Sequence, residues 1–223
     1  MLKLQHLSVT FNENTPNEKK ALKDINLSLK KGDFVTIIGS NGAGKSTLMN
    51  MVSGSLFPDV GDVFINGKQV VHLPEYKRAR MIGRVFQDPM AGTAPTMTIE
   101  ENLAIALSRC KKRRLTFGVT KKRRELFKAY LSKLNIGLEN RLMTKVGFLS
   151  GGERQALSLL MATFTEPDIL LLDEHTAALD PSRAELITQL TKELIETYEL
   201  TTLMVTHNMQ QAIDLGNRLI MMD

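Results

Sequence analysis

The stretch FVTIIGSNGAGKST, residues 34–47, constrains this chain more than any other. A short apolar run ends in Gly39, as a buried strand does, and the following residues satisfy G-x-x-x-x-G-K-[ST] through Gly39, Gly42, Gly44, Lys45 and Ser46. A strand, a glycine loop and a helix start in this order form a phosphate cradle. The glycines let backbone N–H groups of the loop, which includes Ser40, Asn41, Ala43 and Thr47, turn toward phosphate oxygens, and the helix N-terminus adds positive potential. Lys45 is placed to reach the β- and γ-phosphates, and the Ser46 hydroxyl to reach Mg²⁺. A ligand-free turn is the bland alternative, and the register of all these elements argues against it.

The rest of the chain sets that cradle in an α/β frame. MLKLQHLSVTF at the start alternates like a strand and lacks the apolar centre of a signal peptide. KSTLMNMVSG reads as a helix closed by Gly54, and Asn66-Gly67 marks a hairpin. RVFQ (84–87), ILLLDE (169–174) and TTLMVTH (201–207) read as short strands, while PSRAELITQLTKELIETY is helical with Pro181 at its opening. Between Asp88 and about Gly147 helical patterns dominate. The expected architecture is a mostly parallel sheet with a small antiparallel β subdomain and an inserted helical lobe: core at 1–87 and about 153–223, lobe at about 88–152.

Two further features carry chemistry. An apolar strand delivers Asp173 and Glu174 to its carboxyl end, where open α/β sheets bind ligands. Asp173 suits a magnesium ion held through water, and Glu174 suits proton abstraction from an attacking water. On these residues alone a small-molecule kinase stays open; a GTPase is disfavoured by the absence of an Asn-Lys-x-Asp stretch. The second feature is LSGGE. Ser150, Gly151, Gly152 and Glu153 open a helix whose free N–H groups favour an anion, while Ser150 and Glu153 also form an S-x-x-E capping box that needs no ligand.

In order, GSNGAGKST, Gln87 in RVFQDP, LSGGERQ, ILLLDE, ALD ending at Asp180 and His207 in VTHN resemble the nucleotide-binding subunit of ABC transporters. The likeness runs from the N-terminal strand to His207. It implies a P-loop NTPase that hydrolyses ATP with Mg²⁺ and drives a separate integral membrane permease for solute uptake, with amino acids as a candidate cargo. It implies a sandwich of two copies in which Ser150, Gly151, Gly152 and Glu153 of one chain close over the ATP of the other. It assigns Gln87 to Mg²⁺ or the attacking water, together with Ser46 and Asp173 at the metal. It places His207 at the γ-phosphate beside Glu174, with Lys45 and Gln87 completing the catalytic set, and makes Asp180 a link between the two sites. Phe11 falls where the family stacks an aromatic on adenine; a core phenylalanine is the alternative. The resemblance also suggests an extracytoplasmic solute-binding protein and a place on the cytoplasmic face of the membrane. A non-transport ABC ATPase and an exporter-type motor are the rival functions.

The chain departs from many family members at His175, where proline is usual, and at QALSLLMATF, where an arginine-rich stretch is usual. No apolar run reaches about 18 residues, so no membrane span is expected. One cysteine, Cys110, excludes an internal disulfide. The net charge of +5 is locally concentrated in the KKRR blocks at 111–114 and 121–124. These read as a solvated face first and as attraction to an anionic leaflet second. No nucleic-acid partner is expected, because interleaved aromatics are sparse. The loop at 89–98 offers Met90, Ala94 and Met97 as docking residues for a permease helix, unless the methionines pack inside the lobe.

Overall fold

The computed structural model describes residues 1–109 and 117–223, so Cys110 and the basic block at 111–114 lie outside the described residues. The chain divides into two compact units: Met1–Gly83, Asp168–Glu174 and Glu199–Asp223 form the first, Arg84–Pro167 and His175–Tyr198 the second.

The first unit carries an antiparallel sheet in the order β2-β1-β4-β5, from β1 (Leu2–Phe11), β2 (Lys19–Leu29), β4 (Val60–Ile65) and β5 (Lys68–Gln69). Leu2, Leu4, Leu7 and Val9 of β1 are all buried, although strict alternation would turn Leu7 outward. An irregularity in register between Leu4 and Leu7 restores it. There His6 and Asp24 adopt left-handed backbone angles and pair side chain to side chain at 2.7 Å. Asn66 (φ 51°) and Gly67 (φ 73°) make the expected tight turn into β5.

A second sheet has the order β6-β7-β8-β3-β9, from β3 (Phe34–Gly39), β6 (Ile82–Val85), β7 (Ile169–Asp173), β8 (Thr201–Val205) and β9 (Arg218–Met222). β3 pairs in parallel with β8 and β9, and β7 with β8. Every residue from Phe34 to Ile38 is buried, which is why this strand is continuously apolar but for Thr36. The Thr36 hydroxyl donates to Ala212 O, so its burial leaves no unmet donor. α1 (Lys45–Ser53) follows β3, and α7 (Met209–Leu215) follows β8. Met49 and Met51 are fully buried, as core filler should be. Gly54 (φ 87°) closes α1 and donates its N–H to Asn50 O.

A buried cation fixes the far end of α1. After α2 (Glu75–Arg78), the Arg78 side chain is fully buried and donates to Met51 O, Val52 O, Val71 O and Leu73 O. It thus caps the helix C-terminus, where a positive charge is favoured, and ties it to the hairpin segment. Burial pulls its pKa down to about 10, still far above neutrality.

The second unit is helical: α3 (Ile99–Ser108), α4 (Lys121–Ser132), α5 (Gly151–Thr163) and α6 (Pro181–Tyr198). Thr98 and Glu101 cap α3 reciprocally. Phe127 and Phe164 meet with ring centroids 6.0 Å apart, and Tyr130 meets Phe164 at 4.6 Å. The basic block opening α4 is not a uniform solvated face. Arg124 clamps the buried Glu100 carboxylate through two bonds of 2.6 and 2.8 Å, joining α4 to α3.

The division by contact follows packing rather than chain order. α5 and α6 group with the helices of the second unit, because their buried residues pack on each other and α5 packs also on α3 and α4. β6 also stops at Val85, two residues before the expected end at Gln87. The Asp88 side chain captures Met90 N at 2.8 Å and turns the chain into the Pro89 loop. No helix among the described residues is long and apolar enough to cross a membrane.

Candidate functional site

The phosphate loop in the first unit is built by close backbone approach. Gly44 has φ 91°, and a Cβ there would lie 2.5 Å from Ala21 O, so no side chain fits. Gly44 is also the N-cap of α1 and contributes no side-chain cap, which leaves the opening N–H groups for an anion. Lys45 is buried, and its ammonium donates to Gly39 O and Ser40 O at 2.8 Å each. Ala43 N closes a turn onto Ser40 O, and the Ala43 side chain packs on the core.

A cavity of about 190 Å³ opens over this loop. Asn41, Gly42, Gly44, Lys45, Ser46 and Thr47 line it from the loop, Glu174 and His207 from the sheet. Phe11 lines it from the end of β1 and is 37% exposed, which sets aside the reading of a core phenylalanine. Lys19 and Ala21, both on β2, line it too. Neither stood out in the sequence, because β2 lacks an apolar alternation that would mark it as a strand.

Sheet geometry brings the catalytic candidates together. Asp173 ends β7 opposite Val205 of β8. Glu174 extends the ladder by donating its N–H to Val205 O at 2.9 Å, then leaves it with a left-handed φ of 45°. His207 stands two residues beyond Val205, and its Nε2 lies 2.6 Å from Glu174 Oε1. A non-glycine residue held left-handed costs on the order of 1–3 kcal/mol and concentrates at functional sites.

The donor set suits magnesium. No group of three metal-binding His, Cys, Asp or Glu side chains occurs among the described residues. Mg²⁺ does not need one, since it keeps several waters and takes one or two protein oxygens plus substrate phosphates. The Ser46 hydroxyl in the cavity and the Asp173 carboxylate at the strand end are donors of that kind.

The remaining candidates lie in the second unit. Gln87 is exposed, just past β6. Ser150 and Glu153 form the full capping box on α5: Glu153 N donates to Ser150 Oγ at 3.3 Å and Ser150 N to Glu153 Oε2 at 2.7 Å. Burial works against the Glu153 charge, but the Ser150 N–H and hydroxyl and Arg141, 2.6 Å away, outweigh it and hold its pKa below the usual value. Gly151 and Gly152 keep the first N–H groups of α5, which have no acceptor within the helix. Gly152 has a packing reason as well, since a Cβ there would lie 3.0 Å from Arg183 Cδ. Asp180 accepts from Arg183 N at 3.2 Å and pairs with its guanidinium at 3.3 Å, so it caps the start of α6. His175 is buried against Thr191, with Nε2 3.1 Å from the hydroxyl.

The ABC transporter family profile matches residues 22–177. A tyrosine transport ATP-binding protein of Clostridioides difficile is 41% identical over 222 residues, covering 100% of this chain and 88% of the relative. An energy-coupling factor transporter ATP-binding protein of Acetivibrio thermocellus is 33% identical, covering 100% of this chain and 76% of the relative. Among solved structures, a dimeric ATP-binding cassette in a post-hydrolysis state with ADP and phosphate superposes with a TM-score of 0.84 at 31% identity. That match covers 100% of this chain and 94% of the cassette.

Proposed function

The chain belongs to the ABC transporter family as an ATP-binding subunit, and from that premise we propose that it drives uptake of an amino acid through a separate permease. ATPase activity coupled to transport is what its homologues indicate. The observation that carries the mechanism is the single cavity holding the phosphate loop, Glu174 and His207. Lys45, now bonded to loop carbonyls, turns its donors toward the β- and γ-phosphates when nucleotide enters. Ser46 and Asp173 would hold Mg²⁺, which would supply charge neutralisation at the phosphate oxygens. Glu174 takes the proton of the attacking water as the new P–O bond forms and the bond to the β-phosphate oxygen breaks, leaving ADP and phosphate. His207 orients that carboxylate. Phe11 supports the adenine ring.

Gln87 serves as the residue that senses the nucleotide, and the loop after it as the docking place of a permease helix. Exposure of Met90 supports docking better than Met97, which is only partly exposed. Two copies close around two MgATP, with Ser150, Gly151 and Gly152 of each serving the other's γ-phosphate and Asp180 linking the sites; the dimeric cassette among the structural neighbours supports this. The complex works at the cytoplasmic face of the membrane, with an extracytoplasmic binding protein delivering the solute. The tyrosine transport relative favours an aromatic amino acid as cargo.

The test is MgATP-dependent phosphate release from the purified chain and from Lys45→Ala, with uptake of labelled tyrosine by vesicles carrying the co-expressed permease. Turnover of Lys45→Ala near wild type would sink the assignment of this loop. ATP-driven uptake of choline and not of tyrosine would sink the cargo.

A further inference from the structure

The nucleotide cavity contains a cation that the family motifs do not name. Lys19 on β2 is the register partner of Phe11 on β1, so the two side chains leave the same face of the ribbon where it opens onto the cavity. The Lys19 ammonium lies against the phosphate loop itself, since a Cβ added to Gly42 (φ 88°) would meet Lys19 Nζ at 3.1 Å. Among the described residues Lys19 has no hydrogen-bond or ion-pair partner through its side chain. The carboxylate that lines the same cavity, Glu174, is engaged by His207. Lys45 lines the same cavity but directs its donors to Gly39 O and Ser40 O of the loop, whereas Lys19 enters from β2. A cation held over an uncapped helix N-terminus with no carboxylate to neutralise it favours an anion beside it.

We propose that Lys19 is a second phosphate-binding residue, donating to the phosphates of the bound nucleotide from the strand opposite the loop. The proposal rests on the reading that this loop holds MgATP. Lys19 is exposed, so its contribution is screened by salt, unlike that of buried Lys45.

The experiment measures dissociation constants of ATP and ADP at 50 and 500 mM NaCl for the wild-type chain, Lys19→Met, Lys19→Arg, Lys19→Glu and Lys45→Ala, with adenosine as a phosphate-free competitor. Lys19→Met should weaken ATP and ADP binding about 3- to 10-fold at low salt, with the difference shrinking at high salt. Lys19→Arg should restore binding, Lys19→Glu should weaken it further, and adenosine competition should not change. Wild-type affinity of Lys19→Met at both salts, while Lys45→Ala loses nucleotide, overturns the role of Lys19 and leaves the loop assignment standing. Weakening that ignores salt, extends to adenosine or is not restored by arginine marks a structural effect and also overturns it. Wild-type affinity in Lys45→Ala removes the loop assignment and this proposal together.

Discussion

His207 Nε2 stands 2.6 Å from Glu174 Oε1, across the carboxyl ends of two adjacent parallel strands. Glu174 takes a left-handed φ of 45° where it leaves the ladder, and its carboxylate pairs with His207. Glu174→Gln keeps the shape and removes the base. Phosphate release should fall about 10²- to 10⁴-fold while ATP still binds. The trapped ATP should then hold two chains together, giving a dimer by size exclusion in MgATP and a monomer without it. His207→Ala should lower turnover with little change in ATP affinity. Wild-type turnover in Glu174→Gln would remove this carboxylate from the chemistry.

Ser150 serves a nucleotide held by another copy in the proposed sandwich. Placing an arginine there puts a long side chain at the mouth of α5 and removes the cap oxygen from Glu153 N. Ser150→Arg combined with Glu174→Gln should bind ATP as a monomer with near-normal affinity and fail to dimerise. The local helix should lose about 1 kcal/mol of stability from the missing cap. Dimerisation at saturating MgATP in the double variant would show that α5 does not close on a partner's nucleotide.

His175 should make folding sensitive to acid. The Thr191 hydroxyl donates to Ile187 O at 2.7 Å, so it accepts from a His175 Nε2–H, and the ring sits neutral in a site that lowers its pKa by burial to about 4. The unfolded chain, with an ordinary value near 6.5, therefore binds more protons between these limits. The stability contributed is fully present above pH 6.5 and is lost as pH falls toward 4. The loss should reach about 2 kcal/mol by pH 5. His175→Gln should be less stable at pH 7.5 but flatter between pH 7.5 and 5 in urea denaturation. An equal acid loss in both proteins would assign the sensitivity to other groups.

Much of the candidate site's geometry was legible because it depends on local backbone. Gly42, Gly44, Lys45 and Ser46 belong to one loop of adjacent residues, so their order in the chain carries its geometry. The capping box of Ser150 and Glu153 is likewise a relation three residues long. The buried strands announced themselves as apolar runs because both faces of a parallel sheet are covered. Lys19 was not legible, since its meaning comes from pairing with Phe11 across a ribbon whose second strand has a mixed pattern. Nothing local marks Arg78, because its four carbonyl acceptors come together only when the chain folds.

The sequence by itself determined the α/β class, the phosphate loop, the hairpin turn, the helix caps and the candidate acid pair, because each is set by neighbours within a few residues. Only the tertiary structure decided that His207 Nε2 pairs directly with Glu174 Oε1, that Lys19 joins Phe11 in the cavity, that Gly152 leaves space for Arg183, and that α5 and α6 group with the helices of the second unit. Those relations join residues distant along the chain. They depend on strand register and on which helix faces bury together, and local preference leaves both open until the whole chain has packed.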